Sequence, residues 1–200
     1  MKLLMSPPSP YARMIRILIR ELHLMDTVQE VQITTTAFNS APEIVAANPL
    51  GKIPALVRDD GPTLYDSRVI AQFLNTLAGA NLYPESRKWE IMTLEATAIG
   101  IMDSSVSMSY ETRLRPENQQ SPDWIEAQWE KAARGVSAVN DRWMSHLSGP
   151  INIGHIAMGS ALSYLDLRHD ARGWRDGNAA LANWHAEFAQ RPSMVETTPA

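Results

Sequence analysis

Cysteine is missing altogether from the 200 residues. That removes disulfides, thiolate metal sites and a cysteine nucleophile in one step, so any thiol chemistry has to use a thiol carried by a ligand. Long apolar runs are missing too. No stretch approaches the roughly 18 residues of a membrane-spanning helix, and the run Met1 to Met5 meets Pro7, Pro8 and Pro10 too soon to act as a signal peptide. The expectation is a cytoplasmic protein with no membrane association. Blocks of like charge are also lacking: the net charge of −4 and pI near 5.7 come from interspersed signs. That pattern offers no footprint for nucleic acid and no polybasic patch for a membrane surface. The five histidines, His23, His146, His155, His169 and His185, include no two at ligand spacing with a carboxylate nearby, so no metal is expected.

What is present divides into two halves. Lys2 to Met5 reads as a short buried strand that runs into a proline-rich turn, after which Ala12, Ile15, Ile19 and Leu22 repeat at helical spacing. Ser9 stands where that helix is capped, and Pro10 occupies its first position, where proline is tolerated. Val28 to Thr35 is β-branched and alternating, and Ala41 to Ala47 is a weak helix ended by Asn48 and Pro49. Ala55 to Val57 and Thr63 to Tyr65 read as a hairpin, followed by a helix over Ser67 to Leu77. The order β-α-β-α-β-β-α makes an α/β domain over 1–78. Gly79, Asn81 and Pro84 mark a linker over 79–86. Beyond it only helical patterns remain, at Trp89 to Glu111, Asp123 to Leu147, Ile153 to Leu167 and Asn178 to Gln190, which predicts an all-helical bundle over 87–200. All six tryptophans fall in that half, and five of them, Trp124, Trp129, Trp143, Trp174 and Trp184, read as helix-packing residues.

Three places in the first half could carry chemistry. At Ser9 a hydroxyl and the free N–H groups of a helix start converge on one point that favours an anion. For a thiol near pKa 8.5, a charge-assisted hydrogen bond of about 1.5–3 kcal/mol plus a helix-terminus contribution of about 0.3–1 kcal/mol lowers the pKa by about 1–3 units. That is enough to hold a thiolate at neutral pH; the plainer reading of Ser9 is a helix cap and nothing more. Within Asn48-Pro49-Leu50-Gly51-Lys52-Ile53-Pro54-Ala55-Leu56, a cis Ile53-Pro54 bond would leave the Ile53 N–H and C=O free to pair with an extended peptide ligand, whereas a trans bond would make Pro54 an ordinary strand start. At Asp66-Ser67 a second helix start could hold a carboxylate on Ser67 while Asp66 takes an ammonium, which suits an α-amino acid end; a simple cap is again the plainer alternative. Arg13, Arg16 and Arg20 share one helical face, most simply a solvated or interface stripe, with Arg13 near enough to Ser9 to add positive potential.

Ser-Pro-Tyr-Ala-Arg at 9–13, the run Asn48 to Leu56, Asp66-Ser67 and the ending Arg191-Pro192-Ser193, in this order and spacing, resemble the serine-type bacterial glutathione transferases. The resemblance covers essentially the whole chain. It implies a thioredoxin-like N-terminal domain with a cis Pro54, followed by the helical domain of that family. It further implies that the Ile53 backbone pairs with the cysteinyl part of glutathione, that Lys52 lies close to the tripeptide, and that Asp66 and Ser67 hold its γ-glutamyl end. Ser9 would stabilise the thiolate of this co-substrate, with Ser6 as the rival. The partners implied are glutathione and a small apolar electrophile, in a homodimer. The electrophile side would be lined by Met102, Met108 and Tyr110, although methionines at helical spacing more often belong to a core. The implied reaction is thiol transfer; reductive or isomerising use of the bound thiol, and a non-catalytic scaffold, stay open. One departure is local: where the family opens a later helix with serine or threonine and an aspartate three residues on, this chain has Asn152 and His155.

Overall fold

The computed structural model describes residues 1–199. It contains two compact units, Met1–Leu82 joined by the C-terminal segment that starts at Arg191, and Tyr83–Gln190. The first is the α/β unit and the second is all-helical.

In the first unit β1 (Lys2–Met5) lies centrally in a three-stranded sheet of order β2-β1-β3. It pairs in parallel with β2 (Gln29–Gln32) and antiparallel with β3 (Ala55–Val57), with Leu4 opposite both Val31 and Ala55. The parallel pairing requires a crossover, which α1 (Pro10–Glu21) supplies. The second strand of the anticipated hairpin shrinks to one bridge between Leu56 and Leu64, since Pro62 just before it brings no N–H to a ladder. The helices α2 (Pro42–Ala47) and α3 (Ser67–Leu77) complete the unit. Leu3, Ile15, Ile17, Leu18, Ile19, Leu56, Ile70 and Leu74 have no solvent exposure and form its core.

The C-terminal segment belongs to this unit and not to the helical half in which the sequence places it. A short helix, α9 (Pro192–Glu196), packs on α1. The reason is the arginine stripe. Arg13 Nη2 donates to the Met194 carbonyl at 3.1 Å and Arg16 Nη1 to the Thr197 carbonyl at 3.2 Å, so two carbonyls at the end of a helix with no room for intrahelical partners are satisfied from α1. Arg16 and Arg20 also share Glu30, and Arg20 reaches Glu196. From the other direction Glu21 accepts from Arg191 at 2.7 and 2.8 Å and from the Ser193 hydroxyl. The stripe is therefore an internal interface, with Arg13 and Arg16 buried.

The second unit is built on α4 (Lys88–Leu114), which packs against α5 (Pro122–Arg142) and α7 (Ile153–His169). The single helix expected over 123–147 is divided at Trp143 into α5 and α6 (Met144–Leu147); α8 (Ala179–Phe188) follows α7. Gly154 permits the close approach of α7 to α4, since a Cβ there would stand 2.8 Å from Leu94 Cδ2. The start of α7 is a reciprocal cap despite its unusual residues: Asn152 Oδ1 accepts from the Gly154 N–H at 2.9 Å, and His155 Nδ1 accepts the Asn152 N–H at 3.3 Å. An imidazole nitrogen thus supplies the acceptor for which an aspartate is otherwise used. No helix among the described residues is long and apolar enough to cross a membrane.

Candidate functional site

The first unit brings its three sequence-marked places onto the ends of neighbouring elements. Ser9 has extended backbone and caps α1, its Oγ accepting the Ala12 N–H at 3.3 Å while its own N–H donates to the Ser6 carbonyl at 3.0 Å. As an acceptor in that bond the Ser9 hydroxyl keeps its proton to donate. Ser6 lies one turn of the loop earlier and contributes its carbonyl, not its hydroxyl, to the cap. A point with one free O–H and the free N–H groups of a helix start is suited to an anion of small radius.

The loop from Asn48 to Pro54 is organised by its first residue, which the sequence marks as a helix end without revealing its bonds. Asn48 is 2% exposed; its Oδ1 accepts the Leu50 N–H at 3.0 Å and its Nδ2 donates to the Lys52 carbonyl at 2.8 Å. The side chain thereby spans the turn, helped by Gly51 at φ +64°. The signal was available in Asn-Pro-Leu-Gly, a turn sequence in which Asn commonly bonds the backbone two residues on. The Ile53-Pro54 peptide is cis. Ile53 packs its side chain against the cluster of Leu4, Ile44 and Ala55. Its N–H and C=O have no hydrogen-bond partner among the described residues. Lys52 is exposed, beside them in sequence.

At α3 the cap is Asp66 and not Ser67. Asp66 Oδ1 accepts the Arg68 N–H at 3.0 Å, and Arg68 Nη2 lies 3.2 Å from Oδ2 in an exposed pair. Ser67 is the first helical residue and is buried, so its N–H belongs to the first turn, which has no intrahelical acceptor. The Tyr65-Asp66 peptide is also cis.

On the helical unit the three residues expected to face an electrophile separate. Met102 and Met108 are 0% and 1% exposed and belong to the core of the bundle, a correction to their reading as an adaptable wall; unbranched methionine fills gaps between packed helices. Tyr110 is 48% exposed. Burial of its ring raises the phenol pKa, with Tyr164 nearby adding to the effect against a smaller opposing influence of Arg113, so the group stays a neutral donor at physiological pH. A buried polar cluster lies beside it: Tyr164 donates to Ser109 Oγ at 3.1 Å, and His169 Nε2 stands 2.9 Å from the Ser105 carbonyl and 3.2 Å from Ser109 Oγ. No group of three or more His, Asp or Glu suited to a metal ion occurs among the described residues.

A small mixed sheet with helices, followed by a helical bundle, defines the class of thioredoxin-like proteins that carry a helical second domain. Comparison with known proteins narrows it. The glutathione S-transferase N-terminal domain matches residues 8–77 and the glutathione S-transferase C-terminal domain residues 122–187. The chain belongs to the glutathione S-transferase family. Among its relatives is the uncharacterized GST-like protein YibF of Escherichia coli K12, 29% identical over all of this chain and 98% of that protein. A glutathione transferase family member from Pseudomonas fluorescens Pf-5, solved with bound glutathione, is 37% identical with a TM-score of 0.97, covering 100% of this chain and 98% of that one. A glutathione S-transferase from Methylobacillus flagellatus KT, also solved with glutathione, is 33% identical with a TM-score of 0.84, covering 100% of this chain and 99% of that one.

Proposed function

We propose that the protein binds glutathione on its α/β unit, ionises the thiol at Ser9, and adds the sulfur to a small, mainly apolar electrophile. Ser9 would donate its remaining proton to the sulfur while the start of α1 stabilises the charge. The N–H and C=O of Ile53 would pair with the cysteinyl residue as an added strand, with Lys52 close to the tripeptide. Asp66 would meet the α-ammonium of the γ-glutamyl end, and the Ser67 N–H and hydroxyl its carboxylate. In substitution, the thiolate forms a carbon–sulfur bond as the leaving group departs with its electron pair, and no covalent intermediate with the protein is needed. A homodimer located in the cytoplasm belongs to the same proposal.

The observation that carries this reading is the Ser9 hydroxyl, which caps α1 as an acceptor and so keeps a proton to give. Relatives solved with glutathione support the choice of thiol. The test is turnover of glutathione with 1-chloro-2,4-dinitrobenzene. Ser9→Ala is expected to lower kcat/KM at pH 6.5 by about tenfold or more, as a thiol pKa about one unit higher implies, while Ser6→Ala changes it little. The reverse pattern would reassign the activating role to Ser6. Activity confined to peroxide reduction in the wild type would replace transfer by reductive use of the thiol.

A further inference from the structure

The arginine stripe that holds α9 begins one turn from Ser9. The Arg13 N–H donates to the Ser9 carbonyl at 2.9 Å, and four residues of helix put its Cα about 6 Å along the axis from that cap. Long side chains on a helix lean back over the turn that precedes them. Arg13 therefore covers the turn that Ser9 caps, and not the one beyond it.

The C-terminal segment fixes the guanidinium there. Nη2 donates to the Met194 carbonyl at 3.1 Å and Nε to the Thr197 hydroxyl at 3.5 Å. That hydroxyl gives its own proton to the Ser193 carbonyl at 2.7 Å, so it meets Arg13 as an acceptor. Both acceptors are neutral and orient the charge without cancelling it. The Arg13 side chain is buried, and so is Thr197, which leaves little water to screen the field. The other charges of the interface are matched in pairs: Arg16 and Arg20 share Glu30, Arg20 also meets Glu196, and Glu21 meets Arg191. On α3, which also packs against α1, Asp66 is paired with Arg68. A guanidinium keeps its proton at every physiological pH.

We infer that the C-terminal segment is part of the thiol-activating apparatus: by fixing Arg13 over the first turn of α1, it supplies a permanent positive charge that favours the thiolate beside Ser9. Ser9 remains the group that meets the sulfur, and Arg13 supports it through space. The inference rests on the proposed role of Ser9 and adds a dependence to it, because whatever loosens α9 should weaken ionisation of the thiol.

The test is the thiolate absorbance of bound glutathione against pH, with amide exchange at 193–197 recorded on the same proteins. Arg13→Gln is expected to raise the pKa of the bound thiol by about 0.5 unit or more, as removal of a nearby opposite charge does, and Arg13→Lys to keep at least half of the wild-type effect. Should Arg13→Gln fail to fold, Glu21→Ala decides the matter. It frees α9 while leaving Arg13 in the chain, and the thiol pKa should again rise. Glu21 lies about 18 Å along α1 from Ser9, and loss of its negative charge would by itself move that pKa down, so a rise reports the release of α9. A wild-type thiol pKa well below the free value that neither Arg13→Gln nor Glu21→Ala moves, although exchange at 193–197 increases, overturns the inference and leaves Ser9 in place. Equal shifts in Arg13→Gln and Arg13→Lys would overturn it too, by showing that packing and not charge is the agent. Ionisation of bound glutathione at the free-thiol pKa in the wild type would instead remove the role of Ser9, and this inference with it.

Discussion

Removing the Glu21 carboxylate should release the C-terminal helix from α1, and the structure sets the size of the effect. Glu21 accepts three bonds, two from Arg191 and one from Ser193. Arg191 has a side chain 41% exposed, so solvent screens its contribution to about 0.5–1 kcal/mol. Ser193 is buried, and a hydroxyl bond to an ionised acceptor contributes about 1.5–3 kcal/mol. Glu21→Ala should therefore destabilise the α/β unit by about 2–4 kcal/mol. The assay is urea unfolding together with amide exchange at residues 193–197, which should lose protection before the sheet does. In a double-mutant cycle, Glu21→Ala and Ser193→Ala should couple by about 1 kcal/mol or more. A loss below about 0.5 kcal/mol, with exchange unchanged, would refute the view that α1 and α9 are joined through these polar bonds.

Stability should also fall on the acid side. Burial pushes the Glu21, Glu30 and Asp166 carboxyls up, but hydrogen bonds and charges from their arginine partners, with the Ser193 hydroxyl and the Trp174 indole N–H at two of them, outweigh it and hold all three below the ordinary value. Burial lowers the His169 pKa despite the opposing bond to the Ser105 carbonyl. All four are depressed in the folded state, so their contribution is complete above the unfolded values and is lost as pH falls through the folded ones. The urea midpoint should begin to decline below about pH 6.5 and fall more steeply below about pH 4; a midpoint constant down to pH 3 would contradict this. Gly51→Ala places a Cβ 2.7 Å from Ser40 Oγ at φ +64°, and should cost about 1–2 kcal/mol. It should also weaken glutathione binding by displacing Lys52 and Ile53, and Ser40→Gly should restore part of both losses; binding left at the wild-type value would detach the turn from the site.

Much of this was legible in the sequence, because local signals govern it. Proline at the first position of α1 after Ser9, and the Ala12, Ile15, Ile19 spacing, specify a capped helix with a buried apolar face; the cap and that face are found, but Ala12 to Ile19 is buried all round because α9 covers the arginine side as well. The α/β order followed by helices was likewise readable. Long-range pairing was not. A five-residue helix beginning at Pro192 has too few turns to show a period, and nothing local reveals that arginines near the N-terminus hold its carbonyls some 180 residues away. Trp143 divides a helical pattern that hydrophobic spacing shows as unbroken. At the site, Ser9 announced itself as a cap, but Asn48 works through backbone bonds inside a turn and leaves no apolar period. The helix over Ser67 to Leu77 was legible to the residue, with Asp66 at its cap. Met102 and Met108 show the converse, a helical stripe whose ordinary meaning, a core, was the right one.

The central claim, that Ser9 holds glutathione as its thiolate, is met most directly by ultraviolet titration of thiolate absorbance in the complex, for wild type, Ser9→Ala and Ser6→Ala. The account predicts that bound thiol ionises about 1–3 pH units below the free thiol, that Ser9→Ala returns it most of the way, and that Ser6→Ala leaves it in place. Glutathione bound by all three proteins with the ionisation of the free thiol would contradict it.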